Sequence, residues 1–560
     1  MRSLRYTAKS DLSRQSTATM SASDSRAGWT GLVPAASFLM LVAVGLGLRW
    51  RHVLNYHCFL TGDDGIVALM ALHILSGKEI PLVFYGQHYM GTLDAMVAAL
   101  FFHWFGVSAE IYKLTVLLSA GLTLVLLGWA VWLLWGWRRA CGAVALFALS
   151  PAAARWQMDQ PNYSMLFLFG AGLLVVSVSL VSDARRRGGA WPVGLLCGWA
   201  FLAGVGFWAH SLIISLVLPL PFLMWLRGDV PPAKITGLAF TCFLVGLAPL
   251  VLHNIEYPFA TLRQFAGFSL DVASRSDVQD LSVWQVVVRG IWHKIDPATV
   301  SRNLLVAVGG FGLSDYGALS LLSYPAVLTL VGLVAATGRV WWQGRRGQDW
   351  RGWIGSRTGF VLSWLLLTTG LVLILGSTRS RYMALLVLIL PLLIVGRWND
   401  AFWTGALHAT LAAGLLLYLA AASLVLNVSK PLTLLNPVPG LARFLESRGL
   451  SLGYAGFGLA YPLAVHTRES VRVSPLAGPR VDDLYPPHTH AVESSPAPFY
   501  VYPEDEPLGQ ILTEYLRRKG IRFEVTRIER HLVFWGLSLS VRPDEFLPEP
   551  YLTAYKRAHS

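Results

Sequence analysis

The chain has 560 residues, of which 54% are hydrophobic and only 14% are charged, and its formal net charge is +13. Soluble domains are about one-quarter charged, so this composition excludes an ordinary soluble protein. Nucleic-acid binding is also disfavoured, because the arginines form short clusters between apolar runs, as in a protein that crosses a bilayer several times. The four cysteines are scattered and give neither a disulfide framework nor a set of metal ligands.

Residues 1–28 are polar and rich in Ser, Thr and Arg, which predicts a disordered cytoplasmic tail and not a cleaved signal peptide. The first apolar span, 33–48, follows this basic segment. Positive charge ahead of the first span places the N-terminus inside and the first external loop, 51–112, outside.

Two adjacent carboxylates, Asp63 and Asp64, follow the first span at the depth where a helix leaves the bilayer. Ionised groups at a membrane boundary cost free energy unless they have a partner or a function, so the pair predicts a functional site. An alternative remains open: residues 66–76 are predicted to form a short helix ended by Gly77, and either aspartate could be its N-cap. A cap, however, requires only one aspartate.

Residues 93–106 are apolar but shorter than the roughly 20 residues needed to cross a bilayer, and they include Asp94 and His103. We therefore predict a juxtamembrane helix on the outer face. About 11 transmembrane helices are predicted in all, within a membrane domain at 29–428. After the first span they lie at 113–136, 140–155, 163–182, 191–207, 211–226, 234–253, 317–338, 358–376, 382–396 and 402–426.

This arrangement puts nearly every basic cluster on the inner side, as the positive-inside rule requires, with Arg49 and Arg51 as the exception. The outer loops, including a long one at 254–316, carry isolated polar residues of several types. They therefore predict a site built from several loops on one face of the membrane.

Residues 429–560 have mixed charge and many prolines. The pattern predicts strands at 499–502, 521–528 and 532–537 and a helix at 508–519, and hence a small extracytoplasmic α/β domain. Two further predictions concern single residues of this region. Tyr454, Tyr461 and the 499–502 strand could line a groove, but we favour their filling a small core. We expect His488 and His490 to lie in a solvated loop.

External carboxylates together with external arginines fit group transfer from a phosphorylated donor held in the membrane. A carboxylate can accept the proton of an attacking hydroxyl or amine, and arginine can hold a phosphate and stabilise the charge that develops as it leaves. Purely structural roles stay open as well, since arginines at span ends often extend to lipid headgroups and His210 could be a packing residue. Asp63 and Asp64 are the candidates that accept the proton. Arg379 and Arg381 are the first candidates to hold the phosphate, and Arg155 and His210 come after them.

The segment from Asp63-Asp64-Gly65 through Gly77 to the block Tyr85–Gly91 resembles the first external loop of the GT-C glycosyltransferases. It is most similar to bacterial relatives of protein O-mannosyltransferases and aminoarabinose transferases, the family-39-like branch. The resemblance covers roughly residues 30–430, and the segments 105–106, 206–210 and 381–382 agree with it.

The resemblance implies inverting transfer from a polyprenyl-phosphate sugar on the extracytoplasmic face of a bacterial inner membrane. Asp63 would be the general base, and Asp64 stands where that family carries Glu. The acceptor would be a protein, a lipid or a glycan. No cofactor or metal is expected, although two carboxylates could hold a divalent cation. Substrate contacts are expected from Tyr85, Gln87, His88, Tyr89, Trp208, His210 and Tyr382.

Three competing functions remain. A transporter or flippase for lipid-linked glycans is often built from internal repeats, which this sequence lacks. A non-catalytic protein of envelope assembly would use its C-terminal domain to bind a partner. A ligase or polymerase would use a diphosphate donor.

Overall fold

The computed structural model describes residues 24–186, 191–262, 264, 357–375, 384–396, 406–428, 436–476, 483–549 and 551–558. Helices make up almost all of the described part before residue 436. They are α1 (Asp24–Asn55), α2 (Gly62–Ser76), α3 (Leu93–Phe105), α4 (Ala109–Trp135), α5 (Trp137–Ala148), α6 (Pro151–Asp159), α7 (Tyr163–Arg186), α8 (Val193–Ala209), α9 (Ile214–Val217), α10 (Pro219–Arg227), α11 (Ala233–Glu256), α12 (Arg357–Leu375), α13 (Ala384–Val395) and α14 (Ala406–Val428).

Within the described residues, four helices are long and apolar enough to cross a membrane. They are Pro34–Asn55 in α1, Ala109–Trp135, Tyr163–Val181 and Ala233–Glu256. The other apolar helices are shorter, and the predicted span 317–338 lies outside the described residues, so the total of about 11 spans stays a prediction. Helix α1 begins at Asp24, inside the segment predicted to be the tail. The prediction of disorder for the preceding residues falls on positions outside the described residues and stays a prediction.

The predicted span 140–155 is divided into two helices. α5 ends at Ala148, and α6 begins at Pro151 with the Ser150 hydroxyl capping its first turn. Proline at the first position of a helix has no amide that needs a partner, so Ser150-Pro151 starts a new helix. The predicted span 211–226 consists of a 3-10 turn, α9 and α10, with Pro219 at the first position of α10.

Arg49, the exception to the positive-inside pattern, is fully buried near the C-terminal end of α1. Its guanidinium donates to Gln157 Oε1 at 2.7 Å and to the carbonyls of Gly45 at 3.0 Å and Ala148 at 3.1 Å. A buried charge is tolerated when such hydrogen bonds satisfy it. The hydrogen bonds of Arg49 therefore link α1 to the end of α5 and to α6.

α8 and α11 are in direct backbone contact. A Cβ atom on Gly204 would lie 2.2 Å from the Phe243 carbonyl oxygen, and one on Gly246 would lie 2.3 Å from that of Phe201. Only glycine permits so close an approach, and small residues at helix interfaces are common in membrane proteins.

Helix α3, which was predicted to be juxtamembrane, has one apolar face buried and one exposed. Ala98 and Phe102 are buried, whereas Leu100, Trp104 and Phe105 are 57%, 72% and 67% exposed. A short helix with an exposed Trp-Phe end is suited to lying at a bilayer interface. The predicted short helix is confirmed, with α3 ending at Phe105.

The chain after residue 436 forms a five-stranded mixed sheet with helices. The order of strands is β2-β1-β3-β5-β4; β1 pairs in parallel with β2 and β3, and β5 pairs antiparallel with β3 and β4. Its elements are α15 (Val438–Ser447), β1 (Leu452–Ala455), α16 (Phe457–His466), β2 (Arg472–Pro475), α17 (Pro486–Glu493), β3 (Phe499–Pro503), α18 (Pro507–Arg518), β4 (Glu524–Ile528), β5 (His531–Trp535), a 3-10 turn (Pro543–Glu545) and α19 (Tyr551–Ala558).

The residues predicted to fill a core are buried: Tyr454, Tyr461 and Tyr500 are at most 1% exposed. Tyr454 and Tyr500 lie in the core of the sheet, whereas Tyr461 packs in the cluster that includes α2 and α3. The prediction of a solvated loop was wrong for His488, whereas His490 is exposed as expected, although it lies on a helix. His488 and His490 lie on α17, which Pro486 initiates, and His488 is only 2% exposed. Its Nε2 lies 2.8 Å from a carboxylate oxygen of Glu469, a partner that the local sequence does not reveal.

Candidate active site

The turn that carries Asp63 and Asp64 begins helix α2. Thr61 is the N-cap: its hydroxyl accepts from the Asp64 amide at 3.1 Å, and its own amide donates to Asp64 Oδ2 at 3.2 Å. This reciprocal pair is a capping box with Thr61 as the N-cap and Asp64 as its partner, so the alternative that an aspartate is itself the N-cap is wrong. Gly77 ends the helix in the left-handed conformation, as predicted.

The two aspartates have different environments. Asp64 is 1% exposed, and its Oδ2 lies 2.8 Å from the ammonium of Lys113, which is itself buried at the start of α4. The Tyr112 hydroxyl donates to Asp64 Oδ1 at 3.4 Å. Asp63, one position earlier on the helix, is half-buried. Asp64 is therefore engaged inside the protein, whereas Asp63 keeps part of its surface open.

Lys113 also donates to the backbone carbonyl of Met158, next to Asp159 at the end of α6. Asp159 was not identified from the sequence, although it lies on the same helical face as Arg155. Its Oδ2 lies 2.9 Å from His52 Nε2 and 3.9 Å from Arg155 Nε. Burial alone would raise the pKa of Asp159, but His52, Lys113 and Arg155 together hold it below the usual range. A second, ionised carboxylate thus lies beside the same lysine.

Asp94 links the loop after α6 to the 85–91 loop. Its carboxylate accepts from the Asn162 amide at 2.6 Å and from the Ser164 hydroxyl at 3.2 Å, while the Asn162 side chain donates to the Gly91 carbonyl at 3.0 Å. Burial, with a smaller contribution from the charge of Asp64, raises the pKa of Asp94 to about 6.

Trp208 and His210 contact the segment 82–91, which includes the same loop. Trp208 Nε1 donates to the Leu82 carbonyl at 2.8 Å, and His210 forms a backbone bridge with Met90. Both side chains are nearly buried. A Cβ atom on Gly91 would lie 2.7 Å from Trp208 Nε1, which explains why this position is a glycine.

The other predicted substrate contacts lie at two places. The Tyr85 hydroxyl is 2.7 Å from His73 Nδ1 and also contacts Glu79, on the side facing the C-terminal elements. His88 Nδ1 is 3.0 Å from His253 Nε2, and the two rings stack with centroids 5.1 Å apart. Burial lowers the pKa of His88. Two more predicted contacts, Gln87 and Tyr89, are half-buried and buried respectively.

Arg379, Arg381 and Tyr382 lie outside the described residues, so their proximity to Asp63 stays a prediction. Within the described part of the chain, no group of three or more His, Cys, Asp or Glu residues is arranged to hold a metal ion.

No family model and no curated protein matches the sequence. Solved structures do match. The oligosaccharyltransferase of Archaeoglobus fulgidus is 11% identical with a TM-score of 0.50, over 92% of this chain and 74% of its own. ArnT from Cupriavidus metallidurans, bound to undecaprenyl phosphate, is 15% identical with a TM-score of 0.47, over 92% of this chain and 99% of its own.

The fold is GT-C-like. A third structure, the arabinofuranosyltransferase AftD from Mycobacteria, is 15% identical with a TM-score of 0.43, and the match covers 90% of this chain and 40% of that one. On this GT-C-like frame, hydrogen bonds connect three segments that are distant in sequence. Lys113 joins the Asp63 turn to the end of α6, and Asn162 joins the loop after α6 to Gly91.

Proposed function

We propose that this protein is an inverting glycosyltransferase that moves a sugar from a polyprenyl-phosphate donor to an acceptor on the extracytoplasmic face of the membrane. The GT-C-like fold supports the class of enzyme. The observation that carries the proposal is the half-buried position of Asp63, which lies in the first turn of α2 beside a buried Asp64–Lys113 ion pair. A base that must meet a substrate needs both an open face and a rigid support.

In this mechanism the acceptor hydroxyl or amine attacks the anomeric carbon from the side opposite the phosphate. The carboxylate of Asp63 takes the acceptor proton as the new bond to carbon forms. The bond between the anomeric carbon and the phosphate oxygen breaks, and the polyprenyl phosphate leaves with the electron pair. Attack from the opposite side inverts the configuration at carbon. Asp63 then gives its proton to water.

We assign Asp64 a positioning role and not the catalytic role expected from the sequence. Its oxygens are occupied by Thr61, Tyr112 and Lys113, so they orient the first turn of α2. Trp208 and His210 are likewise proposed to support the 85–91 loop, since both are nearly buried.

Arg379 and Arg381 are the proposed ligands of the donor phosphate, with Arg155 as a third candidate beside Asp159. The Arg155 side chain is 41% exposed and lies 3.9 Å from Asp159, so Asp159 can orient it while its guanidinium remains accessible. Guanidinium binds phosphate with paired donors and offsets the charge of the leaving group. The basic clusters on the predicted inner side support an extracytoplasmic location for this site.

The test is transfer by purified protein in nanodiscs, with polyprenyl phosphates that carry a hexose, a pentose or an aminopentose and with a peptide, lipid or glycan acceptor. Release of polyprenyl phosphate together with acceptor glycosylation supports the proposal. Movement of intact donor across a sealed vesicle without cleavage indicates a flippase. Turnover of diphosphate donors alone indicates a ligase or polymerase, and neither cleavage nor movement indicates a non-catalytic assembly protein.

A further inference from the structure

The C-terminal helix α16 lies directly on the Asp63 turn. A Cβ atom on Gly62 would lie 2.4 Å from the Phe457 ring and 2.7 Å from the Phe457 carbonyl oxygen. One on Gly65 would lie 2.6 Å from Pro462 Cδ and 2.8 Å from its backbone nitrogen. The glycines on both sides of Asp63-Asp64 therefore lie where the Asp63 turn contacts the C-terminal elements. No side chain can be accommodated there without moving backbone.

A second contact extends this interface to the 85–91 loop. Gly86 has a φ of 70°, and a Cβ atom there would lie 2.8 Å from Leu484. The hydroxyl of Tyr461, on α16, accepts from the Leu484 amide at 2.7 Å. Both segments of the first external loop that carry proposed site residues thus rest on residues from the last quarter of the chain.

Glu469 joins the two parts by hydrogen bonds between its carboxylate and side chains from both. One carboxylate oxygen lies 2.8 Å from His488 Nε2 and 3.0 Å from Lys78 Nζ, and the other lies 3.2 Å from His73 Nε2. His73 and Lys78 flank the end of α2, the helix that Asp63 begins. Hydrogen bonds from His488 and then His73 hold the pKa of Glu469 far below its usual range, so the carboxylate stays ionised.

The turn that presents Glu469 has an uncommon backbone. Arg468 and Glu469 have φ values of 48° and 63°, in the left-handed region that side chains other than glycine and asparagine rarely adopt. The Glu469 amide donates to the Ala464 carbonyl at 2.7 Å and holds this conformation. Such strain persists only where surrounding contacts enforce it. In this conformation the turn places the Glu469 carboxylate against the end of α2.

We propose that Glu469 is a positioning residue for the Asp63 base, and that the C-terminal region is a structural part of the active site. This inference rests on the proposed function. Glu469 holds the end of α2 while Phe457 and Pro462 hold its beginning, so the helix that carries Asp63 is fixed at both ends by one C-terminal surface. Loss of Glu469 would leave donor binding intact but would misplace the base.

The experiment uses the full chain in nanodiscs and compares Glu469→Ala and Glu469→Gln with Glu514→Gln. Glu514 is a carboxylate of α18 in the same C-terminal region, and none of the contacts described above involves it. Two readouts are measured: amide hydrogen exchange of residues 62–69, and kcat and KM for a polyprenyl-phosphate sugar. Exchange does not depend on catalysis, so it tests the contact even if no donor is turned over.

In Glu469→Ala we expect exchange at 62–69 to increase about tenfold or more, since hydrogen bonds to charged groups each contribute on that scale. We expect kcat to fall about 100-fold, as a displaced catalytic group predicts, with KM for the donor within about twofold. Glu469→Gln keeps hydrogen-bonding capacity and should lie between wild type and alanine, while Glu514→Gln should match wild type.

Unchanged exchange at 62–69 in a folded Glu469→Ala protein overturns the inference. A rise in the donor KM of about 100-fold with kcat preserved also overturns it. If the alanine variant does not fold, Glu469→Gln decides by the same two readouts. Absence of transfer by the wild type with every donor contradicts the proposed function and leaves the exchange result to decide the contact.

Discussion

Lys113 Nζ lies 2.8 Å from Asp64 Oδ2, and the same ammonium contacts the Met158 carbonyl. Both charged side chains are at most 3% exposed. One buried lysine therefore joins the turn that carries Asp63 to the end of the helix that carries Asp159. The separation between the proposed base and the second carboxylate is set by this contact and not by flexible loops.

Lys113→Met should lower stability by about 3–5 kcal/mol, because it leaves the Asp64 carboxylate buried without its cation. The midpoint of thermal unfolding in nanodiscs measures the effect. Arg155→Met is the matched control: its pair with Asp159 is long and 41% exposed on the arginine side, so its removal should cost less than about 1 kcal/mol. Equal midpoints for Lys113→Met and wild type would contradict the role of the pair.

Asp94→Asn should change how stability depends on pH. Burial raises the pKa of Asp94 from 3.8 to about 6, so the folded protein binds this proton more tightly than the unfolded chain does. The contribution is full below pH 3.8 and is lost as pH rises to about 6. The loss amounts to about 3 kcal/mol.

The asparagine variant lacks this titration. The difference in unfolding midpoint between variant and wild type, followed from pH 4 to 7, should therefore move in favour of the variant across that window. A constant difference at every pH would show that Asp94 does not titrate there.

Gly65→Ala should destabilise the protein by about 1–3 kcal/mol, the usual cost of overpacking, because its Cβ would meet backbone and ring atoms of Pro462. Gly458→Ala is the control on the opposing helix, where a Cβ would meet nothing within 4 Å. Thermal unfolding of the two variants compares them directly. If Gly65→Ala is tolerated as well as Gly458→Ala, α16 does not lie against the Asp63 turn.

Arg381→Ala should weaken donor binding more than acceptor binding, because a guanidinium that holds the donor phosphate does not touch the acceptor. Steady-state KM values for the two substrates measure this difference. Arg138→Ala, in a basic cluster predicted to lie on the inner side, is the control. A larger rise in the acceptor KM would move Arg381 from the donor site to the acceptor site.

Much of this arrangement is visible in local sequence. Apolar runs predict the helices, Gly77 predicts the end of α2, and two adjacent carboxylates at a membrane boundary mark the Asp63 turn. The break between α5 and α6 also has a local signal, because Ser150 followed by Pro151 is a typical helix start.

The neighbouring sequence does not indicate that Asp63 and Asp64 have different roles. The difference depends on Lys113, 49 positions after Asp64, and the importance of Asp159 depends on His52, 107 positions before it. Gly62 and Gly65 are explained only by a helix that follows nearly 400 residues later, a separation that no periodicity reports. Contacts between distant segments decide these residues, and such contacts emerge only from the fold.

Asp63→Asn tests the central proposal most directly. The variant keeps the size and polarity of the side chain but cannot accept the acceptor proton, so single-turnover transfer from a polyprenyl-phosphate sugar should fall by about 100-fold or more. Its unfolding midpoint and its donor binding should match those of the wild type. A folded Asp63→Asn protein that transfers sugar at the wild-type rate would remove Asp63 from the mechanism.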